Sequence, residues 1–255
     1  MTAPILFHYF STPLPYLRTL ALQQSIHDFQ LQSRRKGHQF PDILLLLQHR
    51  PVYTGGRRQG HASADERVRL RDTGSEWVPT LRGGETTFHG PGQLVAYPLV
   101  DLGRLYLSVR DYVCALQNIL ASLIVDVHKL PIHKSPHTGI FLSEERKIAS
   151  IGVQVQHRLT THGFAVNVTD EPILWFDQVV ACGLPEVRAV SISTAVGHDV
   201  TVHSQVAPVL SIFASQLKRD MEPLDHKQGE IMSMVRSLEV EAEGEGPWLQ
   251  KPIMY

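Results

Sequence analysis

Two side chains in this sequence could together perform nucleophilic chemistry. Cys182 stands in FDQVVACGLPEV, between a short apolar run and a Gly-Leu-Pro turn. Nucleophiles are presented at strand ends of this kind, although an intracellular cysteine also serves as a small buried hydrophobe. Lys147 closes the charged run EERK and opens KIASIGVQV; it is either a solvated lysine at the start of a strand or the group that takes the thiol's proton. A free thiol has a pKa of about 8.5 and the thiolate is the attacking species, so a nearby ammonium or a basic amine is what such a cysteine needs. Cys114, inside SVRDYVCALQNIL, has no such setting and reads as structural. None of the fourteen histidines falls into a recognised metal-ligand spacing. His128, His133 and His137 lie in a loop rich in proline and polar residues and read as solvated.

The elements that would hold this pair are partly legible. RGGETTFHGPGQLVAYPLVDL, from Arg82 to Leu102, concentrates glycine, proline, histidine and arginine ahead of an apolar run. That density implies backbone placed where side chains do not fit. KIASIGVQV, QHRLTT and HGFAVNV read as a hairpin. With its turn near Arg158-Leu159, Gly152 lies opposite Ala165 and Gln154 opposite Gly163. One face then carries Ile151, Val153, Val155, Phe164 and Val166. The other carries Ser150, Gly152, Gly163, Ala165 and Asn167, and a face so stripped of bulk lies against either a ligand or another backbone.

Leu6–Phe10 reads as a first strand and Pro13–Phe29 as a helix. Ile43–Leu47 reads as a fully buried strand, Gly55–Ser75 as a mobile loop and Leu94–Val100 as another strand. Ser108–Val125 and Val206–Lys218 read as helices. Residues 1–224 form one α/β domain around a mixed sheet, and residues 225–255, with EVEAEGEGP, read as an acidic, poorly ordered tail. Hydrophobic content of 43% with 19% charged residues suits a globular protein, and the formal charge of −1 gives no electrostatic reason to expect nucleic acid or an anionic membrane as a partner. Two cysteines exclude a disulfide scaffold. No apolar run approaches the ~20 residues of a membrane span. The N-terminus has neither a secretory n-region nor an obvious Arg-rich presequence.

RGGETTFHGPGQLVAYP, KIASIG, HGFAVN and ACGL, together with LLLLQHRPVYTGGRR and LSVRDYV, closely resemble the octanoyltransferases of lipoate biosynthesis, in order, over roughly Leu6 to Lys218. The resemblance implies an α/β (α+β) domain of the biotin/lipoate ligase type, with a mixed β-sheet flanked by helices. It implies transfer of octanoyl from acyl carrier protein to a lysine of a lipoyl domain, with no metal and no nucleotide cofactor. It assigns Cys182 to the acyl-thioester position and Lys147 to the lysine that tunes it. It assigns the octanoyl pocket to Arg82, Gly83, Gly84, Glu85, Thr86, Thr87, Phe88 and His89, to Ser150, Ile151 and Gly152, and to Gly163, Phe164 and Ala165. The glycines would then make room for an acyl chain and its thioester.

Backbone N–H groups near Gly83, Gly84 or Gly183 would stabilise the oxyanion, and His89 either orients the site or is structural. Ala181 stands where the family has proline, and Val190-Ser191-Ile192 replaces a Val-Thr-Ser element, which leaves the role of that serine open. An ATP-dependent lipoate ligase, a Cys/His thioesterase or protease using His89 or His162, and a non-catalytic acyl-binding protein remain alternatives. TTFHGPGQ and His137-Thr138-Gly139 look more eukaryotic than bacterial and imply mitochondria, whereas the missing presequence favours the cytoplasm.

Overall fold

Leucine runs such as Ile43–Leu47 have no polar alternation, and such strands are buried on both faces. In the computed structural model, which describes residues 3–58, 64–179, 186–225 and 229–253, that run is at the centre of a large mixed sheet. The strands are β1 (Ile5–Tyr9), β2 (Asp42–Leu47), β3 (Val52–Gly55), β4 (Glu76–Pro79), β5 (Thr87–His89), β6 (Gln93–Leu99), β7 (Ile140–Ser143), β8 (Arg146–Gln156), β9 (Leu159–Asn167), β10 (Arg188–Ala189) and β11 (Met221–Pro223). The main sheet has the order β10-β8-β9-β6-β2-β1-β11, with β7 also paired to β8, and a small sheet has the order β4-β3-β5. Parallel pairs at both ends (β1 with β2 and β11, β10 with β8) enclose antiparallel ones in the middle.

Helices cover both faces of the main sheet. On one, α3 (Val109–Ser122) and α6 (Val206–Leu217) bring Tyr112, Leu116, Ile119, Val209 and Phe213 against Leu44, Leu94, Phe164 and Val166. A capping box starts α3: the Ser108 hydroxyl accepts from Asp111 N at 3.1 Å, while the Asp111 carboxylate accepts from Ser108 N. On the other face, α1 (Tyr16–Arg35) lays Leu22 and Ile26 on Ile43, Leu45 and Tyr97. This helix runs past its expected end at Phe29.

Two expectations change. Within Gly55–Ser75, read as a loop, Ala64–Asp72 forms α2, and Leu70 from it is buried with Tyr53 and Phe88. In the segment read as a loose acidic tail, Gly229–Gly244 forms α7. Its Ile231, Val235, Leu238 and Ala242 recur at helical spacing and are buried in the same core as Leu22 and Ile26; the acidic residues alternate with that stripe and hid it. Beyond α7, the Arg50 guanidinium lies 5.0 Å from the Trp248 ring, and Ile253 N donates to Thr73 O at 3.0 Å.

The β8–β9 hairpin turns at His157 and Arg158, both with positive φ (50° and 63°), one residue earlier than expected. The two-residue loop fixes the register, so Gly152 faces Gly163 and Ser150 faces Ala165. A shift of two leaves every side chain on its expected face.

Candidate active site

β8 has a neighbour on only one side along most of its length. β9 pairs with it from Ala149 to Gln156, whereas β7 and β10 reach only its first residues. The Arg82-Gly83-Gly84 turn docks on this free edge, with Gly83 N donating to Val153 O at 2.9 Å. Arg82 holds the turn from inside: it is 6% exposed, and its guanidinium donates to Thr54 O and Thr54 Oγ1, both at 2.8 Å, and to Glu85 O at 3.0 Å.

Between this turn, β8, β9 and α3 lies a cavity of about 730 Å³. Of the pocket residues assigned in the sequence, Arg82, Gly83, Gly84, Glu85, Thr87, His89, Ser150, Ile151, Gly152, Gly163, Phe164 and Ala165 line it, as does Lys147. Thr86 and Phe88 are buried behind them; the Phe88 ring stacks on Trp175, from α4 (Glu171–Phe176), at 5.1 Å in a separate aromatic cluster. Phe88 follows the alternation of β5, which points Thr87 and His89 one way and Phe88 the other.

The glycines serve backbone more than open space at two positions. A Cβ on Gly163 would stand 2.1 Å from Ala96 O, and one on Gly152 would stand 2.9 Å from Gly83 O. Close approach of β6 and of the Arg82 turn is what excludes side chains there. Gly83 also loses the oxyanion role expected for it, since its N–H is committed to Val153.

Lys147 lies at the start of β8, 8% exposed, with Nζ 5.3 Å from the centroid of the Phe141 ring. Its carbonyl accepts from Val190 N at 3.0 Å. Cys182 and Gly183, with the Ala181 departure, lie outside the described residues. Ser191, the serine left open by the family pattern, caps α5 (Ile192–Val196). Its hydroxyl accepts from Thr194 N at 2.9 Å and donates to the Asp170 carboxylate.

Several cavity residues escaped the sequence reading. Cys114, read as structural, is on the exposed face of α3 and lines the cavity with Val109, Val113 and Gln117; His137 lines it too. The bare face of β8 and β9 adjoins a buried cluster of Tyr97, His89 and His162, which also line the cavity, with His49 packed against them. His49 Nδ1 can meet the Leu14 carbonyl (3.2 Å) only as a donor, so Nε2 accepts from the Tyr97 hydroxyl at 2.7 Å. His89 Nδ1 donates to Gln93 Oε1 at 3.2 Å, Gln93 Nε2 donates to Asn167 Oδ1 at 2.8 Å, and Asn167 Nδ2 donates to Val190 O at 3.1 Å. This chain of bonds ends on Val190, whose N–H donates to the Lys147 carbonyl. Burial, first of all, lowers the basicity of every imidazole here: His49 falls to about 4 and His162 to about 3, and His89 moves well below the usual histidine range, with Arg82 adding to the effect at His89 and His162. All three are neutral at neutral pH. The sequence signals for this cluster were a histidine just after an apolar run, at LLLLQHRP, and one opening an apolar strand pattern, in HGFAVN.

The described residues therefore offer a cavity lined by Lys147, by the bare strand face and by the neutral imidazoles of His89 and His162. Such a site can hold an extended apolar chain and move a proton at Lys147.

The family described as the lipoyl protein ligase A/B catalytic domain matches residues 15–214. An octanoyl-acyl-carrier-protein:protein N-octanoyltransferase LIPT2, mitochondrial, from Xenopus tropicalis is 39% identical over 173 residues, 68% of this chain and 71% of that one. An octanoyltransferase from Thermobifida fusca is 36% identical over 206 residues, 78% of this chain and 83% of its own. Among solved structures, a putative lipoate protein ligase from Thermoplasma acidophilum with bound lipoic acid superposes with a TM-score of 0.64 at 17% identity, covering 96% of this chain and 98% of its own. At that identity the likeness is one of fold.

Proposed function

The chain belongs to the lipoyl protein ligase A/B catalytic domain family, and within it we propose that it is an octanoyltransferase, moving an octanoyl group from octanoyl-acyl carrier protein to a lysine of a lipoyl domain. The observation that carries this reading is the cavity that joins Lys147 to the bare face of Ser150, Gly152, Gly163 and Ala165. The octanoyltransferase names of relatives at 36–39% identity support it.

In the proposed reaction, the Lys147 amine takes the Cys182 proton and the thiolate attacks the carbonyl carbon of the donor thioester. The tetrahedral intermediate expels the carrier's thiolate, which takes the proton back from Lys147. This leaves an octanoyl thioester on Cys182. In the second half, the acceptor amine attacks that thioester, Lys147 takes a proton from the nitrogen, and the Cys182 thiolate leaves and is reprotonated. Thioester exchange is near balance and amide formation is downhill, so the two steps run without ATP. A mitochondrial setting is part of the proposal. The vertebrate relative named mitochondrial favours it and the bacterial relative favours cytoplasm, and fractionation of cells expressing the full-length protein decides between them.

Lys147→Arg tests the reading. Arginine keeps the positive charge but, with a pKa above 12, does not release a proton near neutrality. Octanoyl transfer should fall by ~10²–10⁴-fold while iodoacetamide alkylation of Cys182 persists. Transfer within a few-fold of the unmutated enzyme, or a rate that requires ATP and magnesium, overturns it.

A further inference from the structure

The cavity has two chemically different ends. β8 advances six residues from Lys147 to Val153, a run of ~20 Å at about 3.3 Å per residue. His162 is the direct partner of Val153 across the hairpin. Lys147 and His162 both line the cavity, so the imidazole stands at the end remote from the lysine, and Ser150, Gly152, Gly163 and Ala165 make the bare wall between.

His162 is held there by unusual means. It adopts φ +58° in the interior of a strand, a conformation that is uncommon for a non-glycine residue. Its backbone N–H is diverted out of the sheet to Gln23 Oε1, at 2.7 Å. Its ring stands edge-on to Tyr97 at 6.0 Å, and the residue is 2% exposed. Among the described residues no hydrogen bond reaches either ring nitrogen. A buried imidazole with an unbonded N–H and an unbonded lone pair is a poor surface against which to press methylene groups.

We propose that His162 is the end wall of the acyl cavity and sets the longest acyl chain that this enzyme accepts. The inference rests on the octanoyl-transfer reading. Seven C–C bonds of ~1.5 Å at near-tetrahedral angles carry an octanoyl chain ~9 Å, so it lies within the run between Lys147 and His162. A sixteen-carbon chain needs ~19 Å on the same arithmetic. That is the whole of the run from Lys147, so the end of such a chain would have to cover or displace the imidazole. Covering it presses methylene groups on both ring nitrogens and supplies neither with a hydrogen-bond partner.

The test is kcat/KM for acyl-carrier-protein donors carrying eight, twelve and sixteen carbons, with the full-length protein and an apo lipoyl domain as acceptor. His162→Gly removes the wall and suits the positive φ. His162→Asn also tolerates that conformation and keeps a shorter polar group, so it carries the test if the glycine variant does not fold. A few methylenes newly accommodated are each worth roughly ten-fold in such a pocket. The ratio of the sixteen-carbon to the eight-carbon value should therefore rise by ~10-fold or more in His162→Gly and by less in His162→Asn. A ratio within two-fold of the unmutated enzyme in both variants overturns the proposal. So does loss of transfer at every chain length in a folded variant, which would place His162 in the chemistry. Failure of the unmutated protein to transfer octanoyl at all defeats the octanoyltransferase reading itself.

Discussion

The Tyr97 hydroxyl donates to His49 Nε2 at 2.7 Å at the wall of the cavity, and both side chains are almost completely buried. Because the Leu14 carbonyl fixes the proton of His49 on Nδ1, this bond has only one direction. Tyr97→Phe would leave His49 Nε2 as a buried acceptor without its donor. A cost of about 1–3 kcal/mol is expected, read as a lower urea midpoint with an unchanged m-value. A midpoint equal to that of the unmutated protein would mean that water replaces the hydroxyl.

The neutral histidines also set a pH dependence of stability. His49 and His162 fall to about 4 and about 3 in the folded protein, and His89 falls in the same direction, while all three would sit near 6.5 unfolded. Between those limits the unfolded chain binds protons that the folded chain does not, so stability is lost as pH falls below about 6.5, at about 1.4 kcal/mol per pH unit for each histidine. Denaturation midpoints from pH 7.5 to 4.5 should decline from about 6.5 downward and be flat above it. Replacing His49 with Gln should make the decline shallower; an unchanged slope would show that carboxylates dominate it.

Gly163 and Gly83 should part company on substitution. A Cβ at Gly163 meets Ala96 O at 2.1 Å, whereas one at Gly83 finds only Val153 O, at 3.6 Å. Gly163→Ala must therefore push β6 from β9, and a thermal midpoint several degrees lower is expected. Gly83→Ala should stay within about 0.5 kcal/mol of the unmutated protein. Equal effects would contradict the close approach of the two strands.

α7 should belong to the folded unit. Leu238 is 4% exposed in the core shared with Leu22 and Ile26, so Leu238→Ala should cost about 2–4 kcal/mol in denaturant unfolding. A change within 0.5 kcal/mol would return this segment to the loose tail that its acidic composition suggests.

What the sequence conveyed, and what it hid, has physical causes. The main sheet was legible because Ile43–Leu47 and KIASIGVQV carry unmistakable apolar runs or alternation, and parity survived the two-residue error in hairpin register because side chains alternate with period two. The Arg82 turn, Lys147 and the bare strand face were legible through motif and small-residue pattern. The purpose of Gly152 and Gly163 was not, since a glycine against a ligand and one against a backbone look the same in sequence. Cys114 and α7 were misread because exposure depends on which helix face the fold turns inward. The histidine cluster stayed hidden because His49 follows β2, His89 ends β5 and His162 is in β9, far apart in sequence, and only the folded arrangement of both sheets gathers them around Tyr97.

The central claim is that the acyl group passes through Cys182. Incubation of the full-length protein with octanoyl-acyl carrier protein alone, followed by peptide mass spectrometry, tests it most directly. A hydroxylamine-sensitive octanoyl group should appear on the Cys182 peptide and not on Cys114, and should vanish when an apo lipoyl domain is added. Octanoyl on Cys114, or on neither thiol while the lipoyl domain still becomes octanoylated, would contradict it.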